Sequence, residues 1–99
     1  MNKPSSLTHP GHILRDEFFD PLGITQLAAA KATGIPQSRL SEILAGRRSI
    51  TADTAARLGR FFQVDPRNWL NLQAAYDLRE MEREHGRELA RVLPAERVA

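Results

Sequence analysis

The sequence predicts an all-α fold of five helices, in which the last helix extends beyond the others. Apolar residues recur at spacings of three and four, glycines and prolines separate those stretches, and no stretch alternates with the period of two typical of a strand. The chain has 99 residues, of which 41% are hydrophobic. This length suits one small domain and excludes doubly wound nucleotide folds and barrel enzymes, which need roughly 150–250 residues.

The first helix is expected where apolar residues begin to recur after a proline and a glycine. Three of them lie at helical spacing: Ile13, Leu14 and Phe18. We predict a helix over about 11–20 that is ended by Pro21 and Gly23. Residues 1–8 are polar and contain a proline, so we expect them to form a loose N-terminal arm.

The second and third helices are expected close together, separated by a short turn. Thr25 is a suitable N-cap for the second helix, and Gly34 is a suitable residue to end it. The third helix is predicted over about 36–45, beginning at Pro36 and ending at Gly46. Its apolar residues share one face: Leu40, Ile43 and Leu44. Its outward positions are polar: Gln37, Ser38, Arg39, Ser41 and Glu42.

The last two helices are expected to begin at the N-cap Thr51 and at the pair Asp65-Pro66. The fourth carries apolar residues three and four apart: Ala55, Leu58 and Phe62. One face of the fifth carries Trp69, Leu72 and Tyr76, which we assign to the core. A second apolar face carries Leu70, Ala74, Leu78 and Met81. A short chain cannot easily bury both, so the second face is the candidate dimer interface, with packing against helices one and four as the alternative.

Beyond Tyr76 the fifth helix becomes a charged segment in which acids and arginines alternate. Three pairs at i,i+3 result: Glu80–Arg83, Glu84–Arg87 and Glu88–Arg91. Such pairs stabilise a solvated helix by a few tenths of a kcal/mol each, whereas Gly86 weakens it by about 1 kcal/mol. We therefore expect the helix to fray after about residue 84. The predicted organisation is an arm at 1–8, a domain at 9–80 and a charged helical tail at 81–99.

The charge distribution favours a nucleic-acid partner more clearly than the net charge of +2 does. Residues 31–60 contain six basic and two acidic side chains, a local charge of +4. Arginine supplies 12 of the 14 basic residues, and its planar guanidinium suits forked contacts to phosphates and base edges.

Several classes of protein are excluded or disfavoured. The chain has no cysteine, which excludes disulfide frameworks, zinc ribbons, iron–sulfur sites and thiol catalysis. Its three histidines lack metal-site spacing, and no hydrolase or phosphate-loop motif is present. We expect no enzymatic activity, cofactor, metal or small-molecule ligand. No apolar run approaches a membrane span and no secretory signal is visible, so we expect a cytoplasmic protein without membrane contact.

The second and third helices, with the turn Thr33-Gly34-Ile35-Pro36 between them, have the spacing of a helix-turn-helix. The outward face of the third helix suits a major groove, because glutamine can fork to adenine, arginine to guanine, and serine permits close approach. The alternative is an ordinary helical hairpin whose outer face meets only water.

The motifs resemble those of a known family. The run from Leu27-Ala28 through Thr33-Gly34-Ile35 to Leu40-Ser41-Glu42-Ile43-Leu44-Ala45-Gly46-Arg47-Arg48 is similar to the XRE-type helix-turn-helix of phage repressors. The flanking sequences resemble HigA-type antitoxins: His9-Pro10-Gly11, Pro21-Leu22-Gly23-Ile24, Ile50-Thr51-Ala52-Asp53-Thr54-Ala55 and Trp69-Leu70-Asn71-Leu72-Gln73. The resemblance covers about residues 9–80.

This resemblance implies a five-helix, lambda-repressor-like helix-turn-helix domain with an extended C-terminal helix. It also implies a cytoplasmic bacterial antitoxin that binds a palindromic operator as a homodimer, represses its own operon and neutralises a HigB-like toxin, a RelE-like mRNA endonuclease. The alternatives are a toxin-binding helical module whose role on DNA is secondary or lost, and a stand-alone XRE-family repressor without a toxin.

The candidate DNA-binding residues fall into two groups. Arg39 is the first choice for a base contact, while Gln37, Ser38 and Ser41 are assigned to the groove or to phosphates. Gln37 and Ser38 have helix capping as an alternative role. The alternative for Arg39 is a solvated arginine on an exposed face, and for Arg47 and Arg48 a solvated basic loop. Gln26, at the start of the second helix, and the loop residues Arg47 and Arg48 are assigned to backbone phosphates. Glu42 is expected to pair with an arginine or to accept from a cytosine amino group.

Overall fold

A computed structural model describes residues 8–98 of the protein, and every regular element in this range is helical. Helix α1 covers 10–22, and the following helices are α2 (Gln26–Thr33), α3 (Gln37–Leu44), α4 (Ala52–Phe62) and α5 (Pro66–Ala90). A short 3-10 turn, Ala95–Arg97, follows α5. The predicted all-α fold of five helices with an extended last helix is confirmed. The predicted arm at 1–8 lies outside the described residues except for Thr8.

Helix α1 contains a π-helical turn in its middle. It consists of Pro10–Leu14, the π-helical residues Arg15–Phe19, and Asp20–Leu22. The helix ends at Gly23 as predicted, but the prediction that Pro21 stops it is wrong. In the π turn the Asp20 N–H donates to the Arg15 carbonyl. The hydrogen-bond register has therefore already shifted where Pro21, which has no N–H, enters the helix.

Side-chain caps begin most of the helices. Each cap oxygen accepts from a backbone N–H of the first turn: Thr25 from Ala28 at 3.1 Å, Thr51 from Thr54 at 3.4 Å and Asp65 from Arg67 at 2.9 Å. All three were predicted N-caps and are confirmed. The predicted third helix is shorter by one residue at each end, because Pro36 is its N-cap and Ala45 its C-cap.

The core lies where α1, α3, α4 and the first half of α5 meet. Its largest members are fully or almost fully buried: Leu14, Phe19, Ile35, Leu40, Ile43, Leu58 and Trp69. Phe18 and Phe62 surround Trp69, with ring centroids at 5.6 and 6.3 Å from its own. Gly11 permits the close contact between α1 and α3, because a Cβ there would lie 1.7 Å from the Ile43 carbonyl oxygen.

Only the first half of α5 packs on the core. Trp69 and Gln73 are buried, whereas every residue from Met81 to the end of the described chain is exposed. Leu72 is 39% exposed, so its assignment to the core is wrong. The helix does not end near residue 84. It continues to Ala90, with one non-helical residue, His85, directly before Gly86. The projecting half contributes to a long axis of 56 Å against 33 and 23 Å in the other directions.

A buried glutamine takes the place expected for Leu72 on the inner face of α5. The Oε1 atom of Gln73 accepts from the Ile50 N–H at 2.9 Å, and its Nε2 donates to Asp77 at 3.0 Å. The Ile50 N–H lies in the loop between α3 and α4, where no helical carbonyl is available to it. Gln73 therefore fixes this loop to α5 and satisfies a buried donor whose desolvation costs about 1–3 kcal/mol when unpaired.

His9 joins the start of α1 to α5. Its Nδ1 accepts from the Gly11 N–H at 2.8 Å, and its ring lies edge-on to Tyr76 with centroids 4.9 Å apart. Burial lowers the pKa of His9 below its ordinary value of 6.5; the neighbouring His12 lowers it further and Asp77 opposes the shift. A protonated Nδ1 cannot accept from Gly11, so this geometry requires the neutral ring.

We expect acid to destabilise the protein through His9. The unfolded chain binds the proton more readily, so the contribution of His9 is complete above pH 6.5 and is lost as the pH falls through the lowered native pKa. Urea unfolding at several pH values between about 5.5 and 7.5 measures this slope. His9→Asn keeps an N-cap acceptor and should flatten it, whereas His85→Gln, in the exposed tail, should not. Equal slopes in wild type and His9→Asn would contradict the assignment.

Candidate nucleic-acid interface

The turn between α2 and α3 is tight and internally bonded. Gly34 ends α2 with φ at 79°, a left-handed conformation that glycine adopts without strain. The Thr33 hydroxyl donates to the Ala29 carbonyl at 2.7 Å and accepts from the Ile35 N–H at 3.1 Å. Ile35 is buried, which anchors the turn to the core. The two helices are thus held at a fixed angle, as a helix-turn-helix requires.

Helix α3 has the predicted inner and outer faces. Leu40, Ile43 and Leu44 are buried, whereas Gln37 and Ser38 are exposed and Ser41 is half-buried. Gln26, the first residue of α2, is also half-buried, and Arg47 in the loop after α3 is exposed. The polar candidates of α3 therefore lie on its outer face, and Gln37 and Ser38 are open to solvent.

Arg39 is the outward residue of α3 that is bonded to another helix. Its Nη1 donates to Asp53 Oδ2 at 3.0 Å and to the Thr54 hydroxyl at 3.4 Å. Both acceptors lie in the first turn of α4, so Arg39 spans the gap between α3 and α4. Its side chain is 31% exposed, so it is anchored and still accessible from solvent.

Asp53 is the centre of a chain of hydrogen bonds across the motif. Its Oδ1 accepts from Arg57 Nε at 3.0 Å, and Arg57 Nη1 donates to the Thr33 carbonyl at 2.9 Å. Arg57 thereby satisfies a carbonyl at the end of α2, where helix carbonyls lack helical partners. Hydrogen bonds from Arg57 and from Arg39 hold the pKa of Asp53 below its usual range. The carboxylate is therefore charged at neutral pH and connects all three helices.

Arg48, the second of the two loop arginines, already has a partner. Arg48 Nε donates to Glu42 Oε1 at 2.8 Å, which is the arginine pairing expected for Glu42. A shallow crevice of about 270 Å³ is lined by Arg39, Arg48, Ser49, Thr51 and Thr54. The crevice lies at the N-terminus of α4, where the helix dipole also favours an anion.

Sequence reasoning missed Asp53 and Arg57 as parts of this site. Their spacing of four within a predicted helix was a visible signal for an ion pair, and the structure contains it. The contacts from Arg57 to Thr33 and from Asp53 to Arg39 span 24 and 14 positions. No local pattern indicates those contacts, because they depend on how three helices pack.

Only part of the candidate dimer face on α5 is exposed. Leu70 is half-buried and packs against the core. Ala74 is exposed, as are Leu78 at 66% and Met81 at 46%. Two large apolar side chains on one exposed helix face are available for a partner, while Leu70 makes the intramolecular contact that was the alternative.

Neither a metal site nor a membrane span is found in the part of the chain that the structure describes. No group of three histidine or acidic side chains among residues 8–98 is arranged to hold a metal ion. None of the helices there is both long enough and apolar enough to cross a bilayer.

Comparison with known proteins identifies the family. The helix-turn-helix family HTH_3 matches residues 17–69, more than half of the chain. The chain belongs to this helix-turn-helix family. Virulence-associated protein I of Dichelobacter nodosus is 50% identical over 76 residues, which are 77% of this chain and 70% of that protein.

Two solved structures resemble this helix-turn-helix protein over almost its whole length. An addiction module antidote protein of the HigA family from Coxiella burnetii is 41% identical, with a TM-score of 0.80 over 94% of this chain and 99% of that chain. The Pseudomonas aeruginosa antitoxin HigA, solved with the higBA promoter, is 35% identical, with a TM-score of 0.83 over 94% and 99%. The resemblance to HigA-type antitoxins of the XRE helix-turn-helix family is confirmed.

Proposed function

We propose that this protein is a DNA-binding antitoxin of a type II toxin–antitoxin system. It binds a palindromic operator as a homodimer, represses its own operon and neutralises a RelE-like mRNA endonuclease, a HigB-like toxin. The observation that carries the DNA-binding part is the outer face of α3, whose exposed Gln37 and Ser38 lie beside the anchored Arg39. The relative from Pseudomonas aeruginosa, solved with promoter DNA, supports it.

On DNA, the outer face of α3 enters the major groove. Gln37, Ser38 and Ser41 approach base edges or nearby phosphates, and Arg39 contacts a guanine. Gln26, at the N-terminus of α2, and the loop residues Arg47 and Arg48 contact backbone phosphates, which gives affinity without sequence information. Arg48 is already paired with Glu42 and must share or exchange that partner.

The exposed face of α5 supports the proposed homodimer. Two copies joined through Ala74, Leu78 and Met81 cover apolar side chains that a monomer leaves in water. A symmetric dimer presents two copies of α3 to two half-sites, and this matches a palindromic operator. In this proposal residues 9–80 form the DNA-binding domain, and the charged tail at 81–99, which is helical as far as Ala90, extends from it.

The HigA-family relatives support the proposal of a toxin partner. The second candidate function is a stand-alone XRE-family repressor without a toxin. Both candidates use the same DNA-binding surface. They differ in whether a second protein binds, for which the exposed residues of α1 and of the second half of α5 are available.

Arg39→Ala should weaken operator binding by about 1–3 kcal/mol and relax the sequence preference at one or two base pairs, because a base contact is lost. Fluorescence anisotropy with the protein's own upstream DNA and single-base variants of it measures both effects. Arg87→Ala, an exposed arginine of the tail, is the matched control. Equal losses on operator and on random DNA would show that Arg39 contacts only phosphate.

Replacing both Leu78 and Met81 by Glu should convert the dimer into a monomer of 11.1 kDa, because two charges replace the apolar contact. Multi-angle light scattering measures the mass. Leu22→Glu is the control, since Leu22 is 62% exposed on α1 and Leu78 is 66% exposed on α5. A wild-type protein that is monomeric, or a double variant that stays dimeric, would contradict the proposed interface.

The neighbouring reading frame separates the two candidate functions. We expect it to encode a small basic protein that co-purifies with this chain and whose inhibition of translation in a cell-free reaction is relieved by adding this chain. A tagged copy of this chain that recovers no neighbouring product and still shifts its upstream DNA would favour the stand-alone repressor.

A further inference from the structure

We propose that Asp53 is a positioning residue for sequence recognition: its carboxylate holds one end of the Arg39 guanidinium so that the remaining N–H groups face a guanine. This inference rests on the proposed operator binding and deepens it. It assigns a role in specificity to an acidic residue on α4, outside α3, the helix that is proposed to read the bases.

The contacts of Arg39 leave it one free edge. Its hydrogen bonds to Asp53 and Thr54 both use Nη1, and Nε and Nη2 make none within residues 8–98. A guanine presents two acceptors, O6 and N7, to an arginine in the major groove. An arginine held by one nitrogen keeps enough donors for such a forked contact, since the guanidinium has five N–H groups.

Asp53 is itself held rigidly enough to serve as a support. Its two oxygens are used separately, Oδ1 by Arg57 and Oδ2 by Arg39, each at 3.0 Å. Arg57 is fixed in turn by the Thr33 carbonyl at the end of α2. A rotation of the Asp53 side chain breaks contacts to both arginines. The position of Arg39 is therefore set by the packing of α2 against α4, before any DNA arrives.

A guanidinium fixed in advance loses less conformational entropy on binding than a free arginine does. It also points in one direction, and this favours one base over the other three. Asp53 carries a negative charge beside the surface that is proposed to contact DNA phosphates, so its charge alone opposes DNA binding. Positioning and charge therefore predict opposite effects of removing the carboxylate on operator affinity.

The experiment compares two ligands for each variant of the full chain: the protein's own upstream operator and a scrambled duplex of equal length. Asp53→Asn should bind the operator about fivefold more weakly. This loss is smaller than the full discrimination that a forked guanine contact provides, because Arg39 itself remains. Its affinity for the scrambled duplex should stay equal or rise, because one negative charge is gone. Asp16→Asn is the control, since Asp16 is also an exposed carboxylate in an ion pair with an arginine.

A second measurement distinguishes positioning from a general structural effect. The base preference lost in Asp53→Asn should be the one lost in Arg39→Ala, and the double variant should be no weaker on the operator than Arg39→Ala alone. Asp53→Glu keeps the charge but displaces the carboxylate, so it should lose the same preference. Melting curves identify any variant that fails to fold, and Asp53→Glu then carries the test.

Three results would overturn the inference while leaving operator binding in place. Tighter operator binding by Asp53→Asn would show that Asp53 only withholds Arg39 or repels phosphate. Additive losses in the double variant would show that the two residues act independently, and an unchanged base preference in Asp53→Glu would show that orientation is unimportant. A wild-type protein that binds both duplexes equally would instead overturn the proposed function, and the inference with it.

Discussion

The burial of Leu40, Ile43 and Leu44 fixes the rotation of α3 about its axis, and the candidate DNA surface depends on that rotation. Each of these side chains stabilises the fold by about 1.5–3 kcal/mol on burial. A turn of α3 by one residue would expose them and bury polar side chains without partners, which costs more still. Gln37, Ser38 and Ser41 face outward because the apolar residues of the same helix occupy its inner face.

The helices around α3 then hold its one arginine, Arg39. Arg57 donates hydrogen bonds to the last carbonyl of α2 and to Asp53, and Arg39 donates one to Asp53. Ion pairs this exposed add little to stability, because water and salt screen them. Their consequence is geometric: the candidate DNA surface contains one arginine that is already bonded to α4. Gln73 holds the loop after α3 to α5 in a similar way.

Much of the fold could be predicted from local sequence. The caps Thr25, Thr51 and Asp65 and the outward residues of α3 follow from spacing and side-chain chemistry, which act over one helical turn. The exposure of Leu72 and the burial of Gln73 could not be predicted in this way, because the bond from Ile50 to Gln73 spans 23 positions. The partners of Arg39 were missed for the same reason. The π turn in α1 has no sequence signal that we recognise.

We propose that two copies of α3 read adjacent major grooves on one face of an operator. Hydroxyl-radical footprinting of the wild-type protein on its own upstream DNA tests it most directly. We expect two protected patches about 34 Å apart, one turn of DNA, related by the two-fold axis of a palindrome. A single protected patch, or uniform weak protection without a preferred position, would contradict it.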